Sequence, residues 1–293
     1  MNLKGHGVAV ITPFDNKGSI DFSSLEKHIN KLILSNIDYL VVLGTTSEAA
    51  TLSISEQIKI SEFIVQINNK RVPLVIGVGG NDTRSVIDKL NKFKLSDFQS
   101  ILSVCPYYNL PTQSGLFEHF SEISRNSHIP LILYNVPSRT GSNIKPSTVF
   151  QLIKKQNNII GIKEASNNKD QINELLHFSP NNFQIVSGDD LTAANSILKG
   201  TVGVISVIGN ALPFEFNQIV KYSISNQNRK ALSKQSELMN LINLIFEEGN
   251  PSGIKALMSE LGMCENNLRL PLVSVSNELL IRIKNELKSF VLT

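Results

Sequence analysis

The amino-acid sequence predicts an α/β protein, a (β/α)8 TIM barrel followed by a C-terminal helical extension. Eight short apolar segments recur at intervals of roughly 18 to 35 residues, and amphipathic helical patterns lie between them. Strand-like segments stop after about residue 213. The length of 293 residues accommodates one barrel, which takes roughly 250 residues, and an appendage.

The eight predicted strands are nearly continuous in apolar character, as expected for strands buried on both faces. Their alternation with helices favours a closed barrel, with a doubly wound open sheet as the alternative. The predicted strands comprise residues 8–11, 39–43, 74–77, 100–104, 130–134, 159–163, 184–187 and 202–206.

Capping signals predict where several helices begin and end. Ser23 with Glu26, and Ser53 with Glu56, have the spacing of a capping box. Gly200 has the position of a glycine that closes a short helix. After the last strand the chain is expected to be helical over residues 214–225, 227–248, 251–261 and 277–292.

These elements predict a catalytic barrel over residues 1–224 and a helical region over residues 225–293 that packs on it. The composition is ordinary for a globular protein, with 41% hydrophobic and 18% charged residues. A net charge of +3 without long runs of like charge favours neither a nucleic-acid partner nor a membrane surface.

The apolar run near the N-terminus is too short for a signal-peptide core, and no segment approaches the ~20 apolar residues of a membrane span. The two cysteines, Cys105 and Cys264, are too few for a disulfide framework. We therefore expect a cytoplasmic protein.

The strand ends carry the residues that suggest chemistry. In such barrels the C-terminal ends of the strands face one shared site. Tyr134 and Lys163 end the fifth and sixth predicted strands, and Arg139 follows Tyr134 closely. A lysine amine can form a Schiff base with a keto acid, a tyrosine can transfer protons, and an arginine can bind a carboxylate. A single lysine is a weak signal, because most lysines are solvated surface charges, but the three together indicate a site.

Other site types have little support in the sequence. The five histidines show no metal-ligand spacing, and residues 77–80 lack a full dinucleotide fingerprint. Asp189 and Asp190 have no further carboxylates nearby, and we expect them to be solvated or to cap a helix. The sequence predicts no metal and no cofactor.

Seven segments together carry a resemblance to a known family; they are residues 44–48, 105–109, 134–141, 161–164, 187–190, 203–206 and 268–271. Their combination resembles the dihydrodipicolinate synthase family of pyruvate-dependent class I aldolases, over nearly the whole chain. The resemblance implies condensation of pyruvate with aspartate 4-semialdehyde to 4-hydroxy-tetrahydrodipicolinate, the first committed step of the diaminopimelate route to lysine. It also implies a homotetramer built as a dimer of dimers.

The resemblance implies four catalytic residues. Lys163 would form the Schiff base with the keto carbon of pyruvate, and Tyr134 beside it would act as general acid and base. Thr45 would link Tyr134 to Tyr108, and Tyr108 would reach in from a neighbouring subunit.

Four further residues are implied to bind substrates. Thr46 would hold the pyruvate carboxylate, and Gly188 and the carbonyl of Ile205 would lie along the same pocket. Arg139 would bind the carboxylate of aspartate 4-semialdehyde, which its guanidinium can hold through two hydrogen bonds.

Two alternatives stay open beside this interpretation. A sister aldolase, such as N-acetylneuraminate lyase or a keto-deoxy sugar-acid aldolase, would share the lysine and the first tyrosine. A non-catalytic paralogue could bind a keto acid as a sensor. Residues 138–141 and the paired Tyr107 and Tyr108 favour the synthase, because a small carboxylated aldehyde needs the arginine.

Two departures from the family pattern bear on the site. Ser47 stands where the family often has glycine, and Ala49 where it often has serine, so the loop could differ if residue 47 needs positive φ. Ile54, Gln57 and Ser85 stand at positions where lysine-inhibited members carry histidines and a glutamate, while Asn81 and Tyr107 are retained. We therefore expect lysine to inhibit this enzyme weakly or not at all.

Overall fold

The structure, a computed structural model, describes residues 1–292 and contains a closed barrel of eight parallel strands. Each strand pairs with the next along the chain, and the last pairs with the first, so the predicted (β/α)8 fold is confirmed. The strands are β1 (Gly5–Ala9), β2 (Tyr39–Val42), β3 (Leu74–Gly77), β4 (Ser100–Val104), β5 (Leu131–Asn135), β6 (Ile159–Glu164), β7 (Gln184–Ser187) and β8 (Gly203–Ser206).

The helices follow the predicted alternation, and the tail is helical as expected. Their bounds are α1 (Phe22–Leu34), α2 (Ile54–Asn68), α3 (Thr83–Leu90), α4 (Gln113–Arg125), α5 (Pro137–Thr140), α6 (Pro146–Lys155), α7 (Lys169–Phe178), α8 (Ala193–Leu198), α9 (Pro213–Ile224), α10 (Asn228–Glu247), α11 (Ser252–Glu260) and α12 (Asn277–Leu292).

Strand β1 begins three residues before its predicted start, because glycines rather than apolar residues line its first half. A Cβ on Gly7 would lie 2.2 Å from the ring of Tyr39, and one on Gly203 would lie 2.1 Å from the carbonyl oxygen of Gly5. Neighbouring strands therefore approach closely only where no side chain intervenes. A search for apolar runs misses such a segment.

One predicted capping box is confirmed and the other is wrong. The hydroxyl of Ser53 accepts from the backbone N–H of Glu56, whose carboxylate accepts from the N–H of Ser53. Helix α1 instead begins earlier than predicted, with Asp21 as its N-cap accepting from the N–H of Ser24 at 3.0 Å. Gly200 follows the C-cap of α8 with φ of 122°, as a closing glycine does.

The C-terminal helices pack on the barrel through one hydrophobic cluster. Buried side chains of α9, α10, α11 and α12 share this cluster with Ile11 and with Val204 of β8. Because α9 precedes residue 225 and α10 follows it, the cluster spans the predicted boundary. The division into two regions stays a prediction, and residue 293 of the second region lies outside the described residues.

Candidate active site

Lys163 and Tyr134 are direct neighbours across strands β5 and β6, where they are paired in register. The Lys163 Nζ lies 4.5 Å from the centroid of the Tyr134 ring, and the two residues are only 5% and 8% exposed. Among the side chains of residues 1–290 and the backbone of residues 1–292, no group forms a hydrogen bond or ion pair with Lys163 Nζ. The amine therefore faces the barrel mouth with no partner beyond an aromatic ring.

A cavity of about 180 Å³ opens above this amine. Six of the eight predicted site residues line it: Thr45, Thr46, Tyr134, Arg139, Lys163 and Gly188. The sequence did not predict several further lining residues, which include Ser138, Asn167, Asp189, Phe246 and Asn250. The cavity is small enough for a three-carbon acid to contact most of its walls.

The two threonines lie on a short 3₁₀ turn, Thr45–Ser47, directly after β2. The Thr46 hydroxyl accepts a hydrogen bond from Nδ2 of Asn250 at 3.0 Å, whereas Thr45 is exposed. Ser47 donates its hydroxyl to the carbonyl of Gly44 at 2.7 Å and does not have positive φ. Glu48, the residue after it, has the left-handed conformation, so serine at position 47 introduces no strain.

Arg139 enters the cavity from α5, a short helix that begins at Pro137. Its Nη2 donates to the carbonyl oxygen of Asn250 at 3.1 Å, which leaves its other N–H donors free for a ligand. A second cavity of about 400 Å³ adjoins the first and shares Thr45, Tyr134 and Arg139 with it.

Two predicted site residues do not line the cavity. Tyr108 is 89% exposed at the barrel mouth and has φ of 73°. Ile205 is fully buried in the barrel interior, where it packs in a cluster with Tyr39 and Val186. Within one chain, neither Tyr108 nor Ile205 is therefore part of the wall of this cavity.

Asp190 is fully buried, so the expectation that it is solvated is wrong. Its Oδ2 accepts from the backbone N–H groups of Val207 and Ile208 at 2.9 and 2.7 Å, which ties the end of β7 to the segment after β8. Burial raises the pKa of Asp190 to about 7, although Lys163 opposes that rise. Asp189 accepts from groups just before α8, as a capping residue does.

Polar side chains support strands β5 and β6 from outside the barrel. Asn135 and Glu164 follow Tyr134 and Lys163 and are paired in the same register. The Glu164 carboxylate accepts from Nδ2 of Asn135, from Nε2 of Gln171 and from one backbone N–H. Amide donors thus satisfy this buried carboxylate.

The residues from 1 to 292 contain no group of three or more metal-ligating side chains and no helix long and apolar enough to cross a membrane. Three histidines are buried away from the cavity. Burial lowers the pKa of His6 to about 3, and those of His28 and His119 to about 4.

Comparison with known proteins gives one consistent result. The profile of the Dihydrodipicolinate synthetase family matches residues 2–290. A 4-hydroxy-tetrahydrodipicolinate synthase of Flavobacterium psychrophilum is 47% identical over 279 residues, which cover 95% of this chain and 95% of that protein. The crystal structure of dihydrodipicolinate synthase from Aquifex aeolicus has a TM-score of 0.96 at 36% identity and covers 99% of both chains.

A further similar structure is the chloride-inhibited dihydrodipicolinate synthase of Acinetobacter baumannii, which was solved in complex with pyruvate. It has a TM-score of 0.96 at 34% identity, with complete coverage of both chains.

Proposed function

Because the chain belongs to the dihydrodipicolinate synthetase family, we propose that it is a lyase that condenses pyruvate with aspartate 4-semialdehyde to 4-hydroxy-tetrahydrodipicolinate. This reaction belongs to the diaminopimelate route to lysine. The observation that carries the proposal is the unpaired amine of Lys163 beside Tyr134 at the floor of a small cavity.

The chemistry follows from what this amine can do. The neutral amine of Lys163 attacks the keto carbon of pyruvate, and loss of water gives an iminium. The iminium withdraws electrons from the neighbouring methyl group, so that a methyl proton leaves and an enamine forms. The enamine carbon then bonds to the aldehyde carbon of the second substrate. The substrate's amino group finally displaces the lysine and closes the ring, which returns Lys163 unchanged.

Tyr134 is the group closest to these proton transfers. Its ring lies under Lys163 Nζ, and the residue lines both cavities, so its hydroxyl can serve pyruvate and the second substrate in turn. Thr45 lines the same cavities and is proposed to connect Tyr134 to Tyr108. General acid–base catalysis of this kind contributes typically 10²- to 10⁴-fold.

Four residues are proposed to hold the substrates. Thr46 and Gly188 lie on the cavity wall, where they can contact the pyruvate carboxylate. Ile205 is assigned a carbonyl contact from strand β8 at the same end of the barrel. Arg139 lines both cavities with free N–H donors, and these suit the carboxylate of aspartate 4-semialdehyde.

The proposal includes a homotetramer built as a dimer of dimers. Tyr107, Tyr108 and Leu110 form an exposed patch at the barrel mouth, and they are 41%, 89% and 57% exposed. An exposed apolar patch of this kind is typical of an interface, and a partner there would allow Tyr108 to enter the neighbouring site. The cytoplasmic location expected from the sequence stays part of this proposal.

The sister-aldolase alternative predicts cleavage of long sugar acids instead of condensation. We would incubate the purified protein with pyruvate and aspartate 4-semialdehyde, and separately with N-acetylneuraminate and with 2-keto-3-deoxygluconate. The proposal predicts condensation product in the first reaction and no pyruvate released in the others. Release of pyruvate from a sugar acid would favour the sister aldolases, and no reaction at all would favour the silent paralogue.

Arg139→Ala gives a second test of the substrate assignment. It should raise the KM for aspartate 4-semialdehyde strongly and leave reduction-trapped adduct formation with pyruvate alone near the wild-type rate.

A further inference from the structure

A second buried lysine lies outside the proposed chemistry. Lys255 of α11 forms an ion pair with Glu48, with its Nζ 2.5 Å from Oε1 of the carboxylate, and both side chains are 0% exposed. Two charges removed from water are retained only where close geometry and further hydrogen bonds compensate for the lost hydration. This pair is therefore a specific feature of the fold.

Every remaining hydrogen-bonding group around the pair comes from the C-terminal part of the chain. Lys255 Nζ also donates to the carbonyl of Asn267 at 2.8 Å, and the second carboxylate oxygen of Glu48 accepts from the backbone N–H of Arg269 at 3.0 Å. The same ammonium lies 4.2 Å from the centroid of the Phe14 ring. The carboxylate of Glu48 is thus fixed entirely by residues beyond the barrel strands.

Glu48 has an unfavourable backbone conformation directly after the turn that carries Thr45 and Thr46. It has φ of 57° and ψ of 34°, and it joins the 3₁₀ turn Thr45–Ser47 to a second one, Ala49–Thr51. A left-handed conformation is disfavoured for residues other than glycine, so the surrounding contacts must hold Glu48 there. The direction of the first turn, and with it the placement of Thr45 and Thr46, depends on this joint.

The C-terminal extension contacts the same turn at a second point. Asn250, in the segment between α10 and α11, donates to the hydroxyl of Thr46 at 3.0 Å. The helix that follows carries Lys255, so one continuous segment holds the turn at Thr46 and at Glu48.

A neighbouring ion pair completes the cluster. Arg269 binds Glu56 of α2 through both guanidinium nitrogens at 2.9 and 2.6 Å, and its Cζ lies 4.5 Å from the centroid of the same Phe14 ring. The two ion pairs therefore place two cations and two carboxylates around the Phe14 ring, so the charges in the cluster balance without a substrate.

We propose that Lys255 and Glu48 are positioning residues that preset the threonine turn, so that the C-terminal extension is part of the pyruvate site. The pair does not contact substrate. Its effect passes through Glu48 to the backbone of Thr45 and Thr46, and it rests on the proposed role of Thr46 in holding the pyruvate carboxylate. A displaced turn weakens pyruvate binding first, since Arg139 lies on α5 and is held by the carbonyl of Asn250, not by the Lys255–Glu48 pair.

Lys255→Met in the full-length protein tests this directly, since methionine retains much of the side-chain volume and removes the charge. Lys284→Met is the matched control, because Lys284 pairs with Glu260 in the same extension at 3.1 Å but is 52% exposed. Glu48→Gln is a milder second variant that can still accept from the N–H of Arg269. For each variant we would measure the melting temperature. The kcat and the KM for each substrate would then be measured at a temperature where circular dichroism shows that the variant is folded.

We expect Lys255→Met to raise the KM for pyruvate about tenfold, less than the ~10²-fold that a 1 Å misplacement of a group can cost. The KM for aspartate 4-semialdehyde should change less than about twofold, Glu48→Gln should follow the same pattern more weakly, and Lys284→Met should change neither KM. Equal increases in both KM values, or a lowered melting temperature with both KM values unchanged, would overturn the proposal and leave a purely stabilising pair. A fall in kcat together with the selective rise in the KM for pyruvate is consistent with the proposal, because the same turn carries Thr45. If Lys255→Met does not fold, the KM values of Glu48→Gln test the proposal by the same criterion.

Failure of the positioning role and failure of the proposed function give different results. A wild-type protein that forms no adduct with pyruvate contradicts the proposed function. A wild-type adduct together with unchanged KM values in the variants contradicts only the positioning role.

Discussion

Two lysines of this chain are buried over aromatic rings, and they differ mainly in their neighbours. Lys163 lies 4.5 Å from the Tyr134 ring and lines an open cavity. Lys255 lies 4.2 Å from the Phe14 ring and forms a buried ion pair with Glu48. The two positions thus have the same residue type and nearly the same burial. They differ in that Lys255 has a carboxylate partner and Lys163 has none among the described residues.

The difference determines which amine can react. Burial lowers the pKa of Lys255; the adjacent Glu48 opposes this fall without cancelling it, and its carboxylate holds the ammonium in place. A paired ammonium has no free lone pair for attack on a carbonyl carbon. The amine of Lys163 lines a cavity and has no ion pair to break, so it can reach a carbonyl carbon as a nucleophile.

The largest expected effect is the loss of activity in Lys163→Met. Without the amine no iminium forms, and kcat should fall on the order of 10⁴-fold or more, as removal of a covalent nucleophile does. Steady-state condensation assays on purified protein provide the measurement. Residual activity within about tenfold of wild type would show that Lys163 is not the nucleophile.

Stability should show the opposite ranking of the two lysines. Lys255→Met leaves Glu48 buried without its cation and should lower the free energy of unfolding by about 3–5 kcal/mol. Lys163→Met removes a buried amine that has no ion-pair partner, so the free energy of unfolding should be unchanged or higher. Urea denaturation at neutral pH measures both. Equal losses in the two variants would remove the distinction drawn here.

Tyr134→Phe tests the role of the Tyr134 hydroxyl, because it removes the hydroxyl and keeps the aromatic ring under Lys163. The ring contact is retained, while proton transfer is lost, and kcat should fall roughly 10²- to 10³-fold. Tyr39→Phe is the matched control, because the Tyr39 hydroxyl is buried in the same barrel interior with no hydrogen-bond partner among the described residues. Equal kinetic effects of the two substitutions would contradict a chemical role for the Tyr134 hydroxyl.

Asp190 is a buried charged group near Lys163, and its stability contribution should depend on pH. Burial raises the pKa of Asp190 from an ordinary value of 3.8 to about 7, so the folded protein holds its proton more tightly than the unfolded chain. Stability from this group is therefore complete below about pH 4 and is lost as the pH rises toward 7, by at most about 1.4 kcal/mol per pH unit.

The Asp190→Asn variant isolates this contribution, since asparagine does not titrate and can still accept from the two backbone N–H groups. The difference in unfolding free energy, wild type minus Asp190→Asn, should fall between pH 4 and pH 7. Denaturant titrations at several pH values measure it. A difference that is constant across this range would show that Asp190 has an ordinary pKa.

The smallest expected effect is the response to lysine. Gln57 of α2 donates to the carbonyls of Ala49 and Leu52, and the Ser85 hydroxyl of α3 donates to Asp82. Both side chains therefore already have partners just before their own helices. Added lysine should leave the condensation rate nearly unchanged up to millimolar concentrations. An inhibition constant in the low micromolar to sub-millimolar range would contradict this.

Lys163, the proposed nucleophile, was easier to predict from sequence than Lys255. Lys163 and Tyr134 end apolar segments, and the rule that barrel strands present their C-terminal ends to one site brings them together. Glu48 and Lys255 are separated by 207 positions and belong to no local pattern, so only the folded chain pairs them. Asn250 was missed for the same reason.

Burial also gives different environments to two residues that the sequence does not distinguish. Asp189 and Asp190 are adjacent, yet the first caps the segment before α8 and the second is buried against the backbone after β8. The predicted start of strand β1 was too late in the chain. Its first residues include glycines, which the close approach of neighbouring strands requires, and a search for apolar residues does not detect them. Close packing between distant segments is not encoded in a local pattern.

The most direct measurement is reduction of the protein with borohydride in the presence of pyruvate, followed by peptide mass mapping of both lysines. Borohydride fixes an iminium as a stable adduct on the lysine that formed it. We expect one adduct per chain on Lys163 and none on Lys255. An adduct on Lys255, or no adduct on Lys163 in folded protein, would contradict the assignment of the unpaired lysine as the nucleophile.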